Sequence, residues 1–358
     1  MMTYLPHNTA AILAALALSV GALSCGSDAS DTGEAAQCAE DERWNQLTGV
    51  CQPAGRFESD AGIPQKDSDA QDNPPDALDD ARDSDAHEAP DTTDPGTTCP
   101  DRDGDGHADI ACGGTDCNDL DANIHPGAIE ICDEFDNNCD GELNEGLSCS
   151  FYAHSPQKLY RVDPFKKTTT YVTDVPSLTD IDTHPDGTLY GITFNDLYRF
   201  EEPTNTWQRI GALNATGTPN GLAINNEGVT FLTSGSTVFT VNLSTGRATR
   251  LGSIGSSLTS SGDCVVNKDN SLYMTSPTPG IMSQTDSLVL INPLGQGTQI
   301  GGNLGFSDIY GLTAAWGRVF GLSGSGELIE INTGFGTATL IHRFNGIEWY
   351  GAASTPNR

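Results

Sequence analysis

The sequence predicts an all-β protein: a five-bladed β-propeller closed by the C-terminal strand, preceded by a small disulfide-rich module and a disordered linker. Three observations carry this. From residue 151 onward a four-strand pattern returns about every 40 residues, the signature of propeller blades. Between Cys99 and Cys149, six cysteines share a short segment with fourteen acidic side chains and a single arginine. The charge breaks at the same border: residues 1–150 hold 33 acidic and 5 basic side chains, residues 151–358 hold 16 and 12. So acidic a front half repels nucleic-acid phosphates and attracts dissolved cations, and no nucleic-acid partner is expected.

The apolar run from Ala10 to Ala22 is short for a bilayer span but fits a secretory core, so residues 1–24 read as a signal peptide. Ala22-Leu23-Ser24-Cys25 resembles a bacterial lipobox. That resemblance implies a diacylated Cys25, a tether over residues 25–37, and a lipoprotein of the outer membrane or cell surface. Ala22 and Ser24 also satisfy an ordinary cleavage site, which makes a secreted or periplasmic protein the alternative. Export makes disulfides the expected state of the cysteines. Residues 38–52 then read as a small hairpin closed by Cys38 and Cys51. Residues 53–98 repeat Ser-Asp-Ala at 59–61, 68–70 and 84–86 among several prolines. Few apolar groups and dense negative charge cannot offset the entropy of ordering, so this stretch is a disordered acidic linker.

Residues 99–149 carry the chemistry. Asp101-x-Asp103-x-Asp105-Gly106 is the first half of an EF-hand loop, with the His107 carbonyl as a further donor and Asp109 at the ninth position. The twelfth position, where such a loop holds a bidentate glutamate, is Cys112, so Asp116, Asp119 or Asp121 must close the shell. A second cluster, Asp136-x-Asn138-x-Asp140-Gly141-x-x-Asn144, repeats the spacing, and Glu145 follows. These are hard oxygen donors and favour Ca²⁺; the alternative is copper, with His107 and His125 as the nearby imidazoles. The cysteines Cys99, Cys112, Cys117, Cys132, Cys139 and Cys149 allow fifteen pairings, and spacing does not choose among them.

Asp101–Asp105, Asp116-Cys117, Pro126-Gly127-Ala128, Glu130-x-Cys132-Asp133 and Asp136-Asn137-Asn138-Cys139-Asp140-Gly141 together resemble the MopE-type metal-binding motif of bacterial surface proteins. The first part is also similar to thrombospondin type 3 calcium repeats. The resemblance implies a calcium-stapled extracellular module, with copper proposed for the name-giving member. Departures from the pattern stand at Asn118, Glu134-Phe135 and Asn144.

Residues 150–358 repeat. The aligned cores are Phe151-Tyr152, Leu189-Tyr190, Thr230-Phe231, Leu272-Tyr273 and Val319-Phe320, with ring-to-ring spacings of 38, 41, 42 and 47 residues. A short apolar strand precedes each core except the first, and Trp349–Ser354 matches that missing strand, so the C-terminal segment completes blade one. An open β-solenoid also repeats, but leaves no complementary halves at its ends. The alignment puts Cys264 in a column with Ile181, Leu222, Leu312 and Ala352, which reads as a buried thiol. Asp180 and Asp263 share a column with Gly221, Gly311 and Gly351, facing the channel. The functional expectation is a non-catalytic, envelope-anchored, monomeric binding protein that presents the propeller to a protein or glycan partner. The alternative is a propeller hydrolase or lyase using Asp180 and Asp263 as acid and base at the channel mouth.

Overall fold

In a computed structural model, residues 99–278, 285–356 and 358 are described, together with the backbone of the strands Glu42–Asn45 and Val50–Pro53. The expected signal peptide, the lipidation of Cys25, the Cys38–Cys51 bridge and the linker 53–98 lie outside the described residues. The chain divides into two units, Met1–Glu88 and Ala89–Arg358. In the first, Glu42–Asn45 pairs antiparallel with Val50–Pro53, Trp44 standing opposite Cys51 in register. Among the described residues there is no α-helix, and none is long and apolar enough to cross a membrane.

The second unit contains five four-stranded antiparallel sheets. From the centre outward, blade I runs Gly351–Ala353, Phe151–His154, Lys158–Asp163, Thr168–Asp174. Blade II runs Asp180–Thr183, Leu189–Ile192, Asp196–Glu201, Thr206–Ala212. Blade III runs Pro219–Ile224, Thr230–Ser234, Thr237–Val241, Ala248–Ser253. Blade IV runs Cys264–Val266, Leu272–Pro277, Asp286–Ile291, Gly297–Asn303. Blade V runs Ile309–Ala315, Arg318–Ser323, Glu327–Asn332, Thr337–Arg343. The last strand of the chain, Gly351–Ala353, lies beside Phe151–His154, with Ala352 opposite Ala153. The ring is therefore closed by joining the two ends of the repeat, which covers a strand edge that would otherwise stand open.

Closure is also visible in the packing. Five apolar clusters occupy the five blade-to-blade interfaces. Tyr152 and Leu159 meet Ile181 and Leu189 between blades I and II; Ile192 and Leu197 meet Leu222 and Leu232 between II and III. Ala223 and Val238 meet Cys264 and Met274, then Val265 and Leu288 meet Leu312 and Ile329. Phe151 and Trp349 meet Phe320 and Leu328 between V and I. Cys264 is a free, buried thiol within the third of these clusters.

Within each blade burial falls from centre to rim. In blade II the inner strand Asp180–Thr183 is buried throughout, whereas the outer strand Thr206–Ala212 is half-buried or exposed at every position. All five blades carry one register shift where the third strand meets the fourth, at Leu159/Tyr160, Leu197/Tyr198, Val238/Phe239, Ser287/Leu288 and Leu328/Ile329. A bulge repeated at one place sharpens the twist of each outer strand.

The module ahead of the ring has almost no regular structure. Its one short element is the 3₁₀ turn Ile110–Cys112, where the Ala111 amide donates to the Asp109 side chain. Its disulfides are Cys99–Cys112, Cys117–Cys139 and Cys132–Cys149, one of the fifteen pairings that spacing alone leaves open.

Candidate functional site

The two acidic loops fold the same way because their side chains bind their own backbone. In the first, Asp101 accepts from the amides of Gly104 and Gly106, Asp103 from Asp105, and Asp105 from His107. In the second, Asp136 accepts from Asp140 and Gly141, Asn138 from Asp140, and Asp140 from Glu142. Each loop turns at its sixth position, Gly106 or Gly141, at φ of 96° and 93°. Glycine alone adopts that backbone readily, and the same position is glycine in EF-hand loops. In Asp103 and Asp105 one carboxylate oxygen is tied to the loop, which leaves the other free for a ligand.

Carboxylate oxygens converge in the first loop. Atoms of Asp101, Asp103 and Asp105 lie within 4.8 Å of one another. The second oxygens of Asp103, Asp105 and the fully buried Asp116 are shielded from solvent and accept no hydrogen bond. Partial burial, then the charges of Asp105, Asp116 and Asp101, push the Asp103 carboxyl above its usual range. Unpaired buried carboxylate oxygens are costly. A divalent cation removes that cost by supplying the missing partner, so the residues present fit a hard metal ion.

Of the remaining acids, Asp109 and Asp121 are otherwise engaged and Asp119 only in part. One Asp119 oxygen takes the Arg102 amide at 3.1 Å; the other is buried without a hydrogen bond, 3.5 Å from the Arg102 guanidinium. Asp109 caps the 3₁₀ turn. Asp121 accepts from both nitrogens of Asn123, which holds its carboxyl below the usual range. His107 and His125 stack face to face, centroids 4.9 Å apart and planes 7° from parallel. Ring-nitrogen lone pairs lie in the ring planes, so two parallel stacked imidazoles cannot aim at one ion.

In the second loop, Asp136, Asn138 and Asp140 stand as in the first, but Asn144 does not join them. It is buried, with its amide oxygen accepting from the Asp133 N–H and its nitrogen donating to the Asp133 carbonyl. Glu145 is the nearer candidate: one carboxylate oxygen holds the Asn138 amide at 2.5 Å, and the other is buried without a partner. Sequence reasoning assigned no role to Glu130 or Asn137. Glu130 accepts from the amides of Asn138 and Asn144, and Asn137 accepts from Ile131. The fixed Glu130-x-Cys132 and paired Asn137-Asn138 were the available signals.

The module is fastened to the ring. The Arg318 guanidinium, at the start of the second strand of blade V, makes two contacts to Glu134, at 2.9 Å and 3.2 Å. Arg318 also lies over Phe165. Glu134 thus gives a physical role to one departure from the motif.

Inside the ring, Asp180 and Asp263 are both 0% exposed. Asp180 accepts from the Ile181 and Leu222 amides, and Asp263 from the Cys264 and Leu312 amides. The two interact with each other, and burial first of all pushes both carboxyls well up. One proton held between them is the arrangement this favours. Each carboxylate ties its own blade to the next, so the pair staples II to III and IV to V rather than standing at an open mouth. Asp182 does the same between Ile224 and Ser354, beside the buried Arg358. His154 is fully buried with its Nε2 unpartnered, and burial lowers its pKa to about 4. Gly351 makes room here: a Cβ would fall 2.5 Å from Asp180 Oδ1 and 2.6 Å from His154 Nε2.

Residues 116–145 match the Cu-binding MopE family model, described as "Putative metal-binding motif". The chain therefore carries this motif ahead of its propeller. No curated protein matches the chain. Among solved structures, virginiamycin B lyase from Staphylococcus aureus is 13% identical with a TM-score of 0.33, over 53% of this chain and 64% of that one. TolB from Acinetobacter baumannii is 14% identical with a TM-score of 0.36, over 54% of this chain and 52% of that one. The chain thus spans less than two thirds of the length of either.

Proposed function

We propose that this chain is a non-catalytic, envelope-anchored extracellular binding protein, in which Ca²⁺ rigidifies the module that presents the propeller to a protein or glycan partner. The observation that carries the cation is the set of buried, unpaired carboxylate oxygens on Asp103, Asp105 and Asp116. With Asp101, whose carboxylate lies within 4.8 Å of those of Asp103 and Asp105, the available donors are carboxylate oxygens, which suit Ca²⁺ over copper. The ion supplies positive charge to a cluster that otherwise repels itself. Its role is mechanical in this reading, because Glu134 and the Cys132–Cys149 bridge connect the module to the ring at Arg318 and Phe151. Binding is favoured over catalysis because the oxygens of Asp180 and Asp263 are held by backbone amides inside the ring. Anchoring rests on the lipobox-like Ala22–Cys25; labelled palmitate should enter the chain and fail to enter Cys25→Ser.

The metal reading is tested by calorimetric titration of the full chain with Ca²⁺. Saturable binding that Asp103→Asn weakens by about tenfold or more is expected. No heat of binding up to millimolar Ca²⁺ would contradict it.

A further inference from the structure

We propose that the mouth of the propeller channel binds the uncharged end of a glycan. The inference rests on the binding reading above and adds a ligand class and a place. On the face where the inner strands begin, a cavity of about 360 Å³ receives residues from all five blades. Tyr350 precedes the inner strand of blade I, Thr179 that of blade II and Gly262 that of blade IV, while Asn220 and Tyr310 lie within those of III and V. Phe194 adds a ring from the turn between the second and third strands of blade II. That volume lies in the range of small-molecule sites, about 300–1,000 Å³.

The chemistry of the lining is selective. It contains three aromatic rings, several hydroxyl and amide groups, and no charged side chain. Phe194 is 55% and Tyr350 39% exposed, large apolar faces left in water at a concave place. The Tyr310 and Tyr350 rings sit 5.8 Å apart at 58°, so they offer two differently tilted faces. Tyr310 is fixed in advance: its hydroxyl donates to Asp308 at 2.8 Å, and its ring packs where a Cβ on Gly262 would come within 2.7 Å. Asn220 Oδ1 is buried and receives no hydrogen bond. An orphaned acceptor of this kind costs free energy until a donor arrives.

A ligand that satisfies this mouth must lay flat C–H surface on aromatic rings, donate a hydroxyl to Asn220, and carry no charge. A neutral pyranose does all three. Phosphates, sulfates and uronic acids find no cation in the lining, and residues 151–358, with 16 acidic against 12 basic side chains, offer them no net attraction. A basic peptide finds no carboxylate there.

The test is saturation-transfer NMR with the full chain and a panel of glucose, galactose, mannose, N-acetylglucosamine and their disaccharides, beside glucuronic acid. At least one neutral sugar should bind saturably. Phe194→Ala and Asn220→Ala should each weaken it about tenfold; Phe194 is exposed on a turn, so its variant keeps the wild-type melting temperature. Absence of binding by every neutral sugar, binding unchanged in both variants, or a preference for glucuronic acid would overturn the proposal. Ca²⁺ titration of the same sample reports the module separately, so a chain that takes Ca²⁺ but ignores the sugars sinks this inference and leaves the metal reading standing.

Discussion

The module and the propeller bury opposite kinds of matter. Between residues 99 and 149 the buried apolar residues are Ile124 and Cys149, while Asp116, Asp119, Glu130, Asn137 and Asn144 are buried and polar. Leu120, Ile129 and Ile131 stand exposed there. The propeller buries a continuous belt of Leu, Ile, Val and aromatic side chains at each blade interface. One region is held by covalent bonds and carboxylate geometry, the other by area removed from water. Side-chain size should therefore govern stability in the ring, and redox state and cations should govern it in the module.

The largest expected effect is at the closing seam. Trp349 is fully buried between blades V and I, edge-on to Tyr160 and Phe344. Trp349→Ala should cost about 3–5 kcal/mol in denaturant unfolding. A cost near zero would mean that the ring does not depend on its seam. Next comes the module: replacing Cys117 and Cys139 together with serine should lose about 2–4 kcal/mol, read as local loss of hydrogen-exchange protection in residues 99–149. Equal loss of protection in the blades would break the comparison.

Acid should act on the ring through His154. Its folded pKa near 4 lies below the ordinary 6.5, so the unfolded chain binds the proton first, and stability is lost as pH falls from about 6.5 toward 4. The contribution is up to about 3 kcal/mol, and His154→Gln should flatten that part of the melting-temperature profile. Asp180 and Asp263 have the opposite sign. Their raised folded pKa values make their contribution full in acid and diminishing as pH rises through those values. A variant profile identical to the wild type between pH 6.5 and 4 would remove His154 from the account.

The smallest effect is at the joint. Arg318 and Glu134 are both partly exposed, so Glu134→Gln should cost below about 1 kcal/mol, with the difference shrinking in high salt. A larger, salt-independent loss would make the two regions one cooperative body.

The ring was legible because its repeat is written in aromatic positions such as Tyr190 and Tyr273, and because the unmatched Trp349–Ser354 could only complete the first blade. The five bulges were not, since a register shift such as that at Leu197/Tyr198 leaves the alternation of apolar residues almost intact. The loop carboxylates were legible from their alternate spacing before glycine. Asn144 was assigned by the same spacing, yet its two-ended amide is a better clamp for the Asp133 backbone than a ligand, and only tertiary geometry distinguishes these uses. Asp180 and Asp263 shared a column, which placed them at the axis; their depth, and the amides that hold them, depend on neighbouring blades.

Calorimetric melting of the full chain in EDTA and in millimolar Ca²⁺ tests whether the cation holds the module together. Free ligand at about 100 times its dissociation constant adds roughly 2.7 kcal/mol to whatever binds it. Ca²⁺ should raise the transition belonging to residues 99–149 and leave the propeller transition in place. Superimposable melting curves with and without Ca²⁺ would contradict it.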